Sequence, residues 1–184
     1  MLLLSKPVDI PLVRAVCIST RPGADKGWRD PGFPQAGDHP AAWLSPHTSK
    51  IYRLPSSAEW EGWASNGAKT QRPWGDDPRG ACVHGNTFDE AARDALNIKG
   101  AVHLCKDADV FTATVGSYQE NNENVFDMIG NVFEWTSDCE DCDKHEISGG
   151  CWCSGPVMST LAYSFSFKKN FRGSSIGFRV VRAD

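Results

Sequence analysis

Two acids bracket a glycine-containing turn in the second half of this chain: Asp127 and Glu134 stand either side of Gly130-Asn131, with backbone carbonyls between them. Carboxylates and carbonyls around a loop make an all-oxygen donor set, which suits a hard cation such as Ca2+. Asp107 and Asp109, with Asn86 upstream, offer the same chemistry a second time. Solvated loop acids are the competing explanation for both. Thiols form another cluster. Cys139-x-x-Cys142 precedes Cys151-x-Cys153, and thiolates so spaced could hold zinc, although Cys-x-Cys is unusual in a closed zinc site. His39, His47, His84, His103 and His145 are scattered. No phosphate loop and no serine-hydrolase elbow accompanies them.

The elements that must position these groups are short. Gly130-Asn131 is turn material, and residues 132–136 form a run of aromatic and β-branched residues that predicts a strand. Ser56 is a good N-cap with Glu59 as its capping-box partner, so residues 57–64 read as a helix burying Trp60 and Trp63. Arg53 and Glu59 then read as a structural pair fixing that helix against the sheet. Residues 88–96 have helix formers with acids in the first turn. Residues 101–104 and 110–115 read as strands. Towards the start, residues 8–18 suggest a strand broken by Pro11, and residues 41–44 a short helix after Pro-rich loop.

A formal charge of −4 carries no basic excess, which argues against a nucleic-acid partner. No apolar run reaches membrane-spanning length. Met1-Leu-Leu-Leu4 stops at Ser5-Lys6-Pro7, too short for a signal-peptide core. The expectation is therefore a cytoplasmic protein, or one released without a cleaved signal. Seven cysteines cannot all pair within one chain.

The run from Asn124 to Thr136 resembles the "G-L-Y-D-M-x-G-N-V-W-E-W" signature of the formylglycine-generating-enzyme (sulfatase-modifying factor) family. Ser148-Gly-Gly-Cys-Trp152 resembles its "G-G-S-W", and Ile176-Gly-Phe-Arg179 its "G-F-R". Arg53-Leu-Pro-Ser-Ser-Ala-Glu-Trp60 resembles "R-L-P-T-E-A-E-W", followed by a Trp74-Gly pair. The motifs keep the family order over roughly residues 28–182. The resemblance implies an α+β, C-type-lectin-like fold, loop-rich, with short antiparallel strands and few short helices. It implies one domain over residues 1–184, shortened at its N-terminus because the family's "M-G-S" region is missing. Buried Trp60, Trp74, Trp135 and Phe178 would stabilise it.

The same resemblance places Asn86, Thr87, Asp107 and Asp109 on one family calcium site, and Asp127, Gly130, Val132 and Glu134 on another. It also marks Cys82 and Cys105 as a family pair, bonded or not according to compartment. The family enzymes oxidise a substrate cysteine with O2 through two Cu(I)-binding cysteines. Counting four and nine residues on from Gly150 gives Ser154 and Ser159, neither of them a thiol. A hydroxyl cannot replace a soft thiolate ligand, so copper and catalysis are not expected.

Residues 151–176 instead change composition. Cys153, Ser154, Gly155, Val157, Tyr163, Phe165, Phe167, Phe171, Gly173, Ser174 and Ser175 mix small polar residues with aromatics, the make-up of a binding paratope. Where family members carry Asn triplets, this chain has Cys-Ser-Gly155 and Gly-Ser-Ser175, replacements reachable by changing adenines in Asn codons. That pattern resembles the variable proteins of diversity-generating retroelements; ordinary surface drift is the alternative, and Lys168-Lys169 do not fit it. The sequence thus reads as a non-catalytic display domain for a protein or other surface ligand, with structural Ca2+. A peptide-cysteine oxidase working through Cys151 or Cys153, and an accessory domain of a larger complex, are the alternatives.

Overall fold

The computed structural model describes residues 52–138 and 142–182. The strand expected at 8–18, the helix at 41–44 and Cys139 lie outside them.

Helix α1 (Ser57–Ser65) begins as its sequence asks. Ser56 Oγ accepts the Glu59 amide, and the Glu59 carboxylate accepts the Ser56 amide at 2.8 Å, closing a capping box. Asn66 ends the helix in the left-handed region, at φ 49°. Arg53 grips Glu59 with two 2.7 Å hydrogen bonds, tying strand β1 (Tyr52–Arg53) to the helix. That contact, and the Ser56 amide, hold the Glu59 carboxyl down at about 2. The role is structural. A 3-10 turn (Pro78–Gly80), helix α2 (Ala81–His84) and helix α3 (Glu90–Leu96) follow, the last capped by Asp89.

Strands β2 (Phe133–Trp135), β3 (Lys144–Ser148), β4 (Ser164–Lys168) and β5 (Ile176–Phe178) form one sheet in the order β4-β3-β2-β5. Strand β6 (Val181–Arg182) pairs with β1 in a separate antiparallel ribbon. The β2–β3 and β3–β4 pairs are antiparallel, but β2 and β5 are parallel. The short antiparallel strands expected from the sequence are there, and the parallel β2–β5 pair is added to them. After β4 the chain crosses over instead of forming a hairpin, and enters the far side of β2 in the same direction.

The strands expected at 101–104 and 110–115 are absent; a single bridge, Asp89 to His103, is all that forms there. Their backbone groups find other partners. The His103 amide donates to Phe88 O at 2.9 Å, and Ala113 is bracketed by the Asn131 side-chain amide at 3.1 and 3.2 Å. An apolar run without a neighbouring strand satisfies its backbone however it can.

One apolar cluster gathers Trp60, Ala64, Val125, Met128 and Ile129; another gathers Phe133, Ile147, Cys151 and Ile176. Trp60 is fully buried, whereas Trp63, Trp74, Trp135 and Phe178 are only half-buried. Trp74 instead stacks flat on His84, with ring centroids 5.0 Å apart.

Candidate functional site

The Gly130-Asn131 turn is where distant segments meet. The Gly130 amide donates to Gly149 O at 2.8 Å, Asn131 to Asn86 O at 2.7 Å, and Trp152 to Asn131 O at 2.9 Å. Gly130 has φ +90°, and a Cβ there would collide with the Asn86 carbonyl. Glycine is required on both counts. The turn therefore pins the 86–87 loop, the 148–152 segment and β2 together.

Glu134, on β2, faces inward. Arg179 donates to both of its carboxylate oxygens at 2.9 Å, and the Trp60 indole donates at 2.8 Å. Arg179 also donates to Phe126 O. The ion pair is almost wholly enclosed, with side-chain exposures of 9% and 5%. The Glu134–Arg179 pair thus serves as an internal support. Sequence reasoning missed this partnership, although the closing Arg179 and the Glu of the strand motif were both in view.

Asp127 itself is buried, with Oδ2 accepting the Gly116 amide at 2.7 Å and Oδ1 without a partner. Burial pushes its carboxyl up to about 6. It lines a small cavity together with Trp74, His84 and Met128.

The 86–109 loop fits a cation better. Asp107 accepts the Thr87 amide at 3.1 Å and the Asp109 amide at 2.9 Å, while its own amide donates to Asp89 at 2.7 Å. Asn86 is fully buried and its Oδ1 has no partner. Burial, then the neighbouring acids Asp89 and Asp109, raise the Asp107 carboxyl to about 6. An unpartnered buried amide oxygen and carboxylates crowded together are each donors that a hard cation takes. Cys82 lies within ligand distance of Asp89 and Asp107, but it is bonded to Cys105 and offers no thiolate.

Of the four cysteines considered for zinc, Cys139 lies outside the described residues. Cys142 is disulfide-bonded, and Cys151 and Cys153 lie against each other. Ser154 and Ser159, at the positions where the family's copper thiolates would fall, are fully buried. Ser159 Oγ donates to Ser154 O at 3.0 Å, and Ser154 Oγ accepts the Cys151 amide at 3.0 Å. Both hydroxyls hold the turn together.

The expected ligand-binding residues divide. Ser154 and Gly173 are buried and belong to no surface; Gly155 packs its backbone against Ala101 O. Cys153, Ser174 and Ser175 are half-buried, while Val157 is exposed. The aromatics are brought together. β4 alternates, so Tyr163, Phe165 and Phe167 share one side. Tyr163 and Phe165 meet edge to face at 5.0 Å, Phe165 and Phe167 lie 6.1 Å apart, and Phe167 stacks on Phe171 at 4.2 Å. Phe165 is 44% exposed, although Phe133 touches it edge to face. β4 is an edge strand of its sheet.

Residues 37–184 match the family described as the Sulfatase-modifying factor enzyme 1-like domain. The formylglycine-generating enzyme of Mycobacterium tuberculosis is 30% identical over 155 residues, spanning 80% of this chain and 49% of that protein. The chain thus spans about half the length of that curated relative. The structure of PvdO from Pseudomonas aeruginosa aligns with a TM-score of 0.69 and 28% identity, over 94% of this chain and 72% of that one. Treponema denticola variable protein 1 aligns with a TM-score of 0.56 and 18% identity, over 70% and 46% of the two chains. That last likeness is one of fold, and this chain has the loop-rich α+β, C-type-lectin-like architecture.

Proposed function

The chain belongs to the sulfatase-modifying factor enzyme 1-like family, and from that premise we propose that it is a non-catalytic ligand-binding domain. Its contact surface is the aromatic side of β4 with the turn that follows. The observation that carries this reading is the row Tyr163, Phe165, Phe167 and Phe171 on an edge strand, with Phe165 presented to solvent. Rigid aromatics supply contact area at little entropic cost and dominate affinity where they anchor a partner. The serines at the positions where the family carries its copper cysteines support the non-catalytic reading, since their buried hydroxyls already hold the turn.

The ligand is a protein or another surface, not nucleic acid, given the net charge of −4. Variation confined to codons 151–175 would make this a diversified surface of the retroelement type. Asn86, Thr87, Asp107 and Asp109 would hold a structural Ca2+ that firms the loop beside the central turn. The Cys82–Cys105 bond and the bonded Cys142 suit an oxidising compartment better than the cytoplasm expected from the sequence.

Deep sequencing of the gene across a source population tests the diversified surface; a uniform gene would overturn it. Screening the purified domain and its Phe165→Ala variant on peptide and glycan arrays tests the face itself. A ligand retained by the wild type and lost by the variant supports the reading. Equal signals from the two would remove β4 from the binding surface.

A further inference from the structure

Cys151 and Cys153 are the two cysteines in thiol form among the described residues, and the ligand face does not explain their geometry. They sit on one tight turn. The Ser154 amide donates to Cys151 O at 2.8 Å, and the Cys151 amide donates back to Ser154 Oγ at 3.0 Å. Between them, the Trp152 amide is anchored on Asn131 O. Gly150 leads into the turn at φ +74°, where a side chain would press on Met158 O and on Ser154. So held, the two Sγ atoms stand 2.8 Å apart.

That separation decides between two chemistries. Thiolates sharing a tetrahedral metal ion, at metal–sulfur distances of about 2.3 Å, lie roughly 3.8 Å from one another. A disulfide closes at about 2.05 Å. The observed 2.8 Å is too short for chelation and leaves about 0.8 Å of travel to a bond. Exposure then assigns the roles. Cys151 is 1% exposed within the apolar cluster, whereas Cys153 packs against that cluster and is only half-buried.

We propose that Cys151 and Cys153 form a thiol–disulfide exchange site whose co-reactant is an external organic disulfide. The Cys153 thiolate attacks that disulfide, breaking its S–S bond and releasing one thiolate. The Cys151 thiolate then attacks Cys153 Sγ, forming the Cys151–Cys153 bond and expelling the second thiolate. Two electrons pass to the external disulfide, and the two protons given up by the cysteines end on the two released thiols. Burial disfavours the Cys151 thiolate, but hydrogen bonds from Cys153, Ser154 and Ser175 outweigh it and lower its pKa, which favours the second step at neutral pH. The site stands whether or not the aromatic face binds a ligand.

Glutathione disulfide is the probe. The purified chain is equilibrated at graded ratios of glutathione disulfide to glutathione, quenched with an alkylating agent, and mapped by peptide mass spectrometry. In the wild type, alkylation is lost from both cysteines together, with no lasting adduct. Cys151→Ser stops at a glutathione adduct on Cys153, and Cys153→Ser takes up none. Since Cys151 packs in the core, Cys151→Ala is run beside Cys151→Ser, and the wild-type titration decides alone if both misfold. The proposal is overturned if the wild type halts at the Cys153 adduct, or if both thiols stay alkylatable at the most oxidising ratio.

Discussion

The turn around Gly130 and the edge strand β4 are built on opposite plans. Around the turn, Glu134 is answered from inside by Arg179 and Trp60, and the Gly130 and Asn131 amides by carbonyls of distant segments. Along β4, the side chains answer one another only in part. Phe165 touches Tyr163, Phe167 and Phe133 and still leaves much of its ring in solvent. The first region uses its chemistry to hold the fold, and the second leaves surface available to something else. Acids that read in sequence as candidate metal ligands can therefore also serve as a structural joint.

Substitutions can break that contrast. Glu134→Ala strands the enclosed Arg179 guanidinium and should cost about 3–5 kcal/mol in urea unfolding. A loss below about 1 kcal/mol would mean that the ion pair is not the joint described. Gly130→Ala forces a side chain onto the Asn86 carbonyl at a positive φ, and should cost more than about 2 kcal/mol, seen as a fall in the denaturation midpoint at unchanged m-value.

Asp127 gives a pH signature of the same region. Its folded pKa of about 6 lies above the unfolded value of roughly 3.9. Between those values the folded state keeps a proton that the unfolded state releases, so stability falls as pH rises through that window and levels off above it. The expected fall is on the order of 3 kcal/mol, and Asp127→Asn should remove it. Asp107 contributes in the same direction, and added Ca2+ should offset that part by favouring its ionised form. Glu59 acts oppositely and at lower pH, losing its contribution as pH drops towards about 2. A stability profile that rises across the window from roughly 4 to 6 would refute the Asp127 assignment.

The smallest effect is expected on β4. Phe165→Ala removes a ring that is 44% exposed, and should cost about 1 kcal/mol or less in stability. The buried Phe133, cut to Ala, should cost about 3–5 kcal/mol. If the two losses are equal, Phe165 is a core residue and the contrast between the regions collapses.

Much of the joint was legible from local sequence. Ser56 with Glu59 announced a capped helix, residues 132–136 a strand, and Gly130 a turn, because each depends on neighbours within a few positions. The strands expected at 101–104 and 110–115 failed because a strand needs a partner, and none was supplied. The residues expected to form the ligand surface are unevenly placed. Ser154 and Gly173 share the composition of the surface yet lie beneath it, since exposure is not a local property.

By itself, the sequence determined the family, the loop-rich α+β class, the capped helix and the loss of the thiol pair at positions 154 and 159, because those are matters of residue type and spacing. Tertiary structure alone decided that Glu134 belongs to Arg179, that β5 runs parallel to β2, and that Cys82 meets Cys105. It also brought Cys151 Sγ against Cys153 Sγ. Each of those depends on where the folded backbone carries its side chains. For the first three the partners are far apart in the chain, and for the last it is the shape of a turn anchored on distant segments.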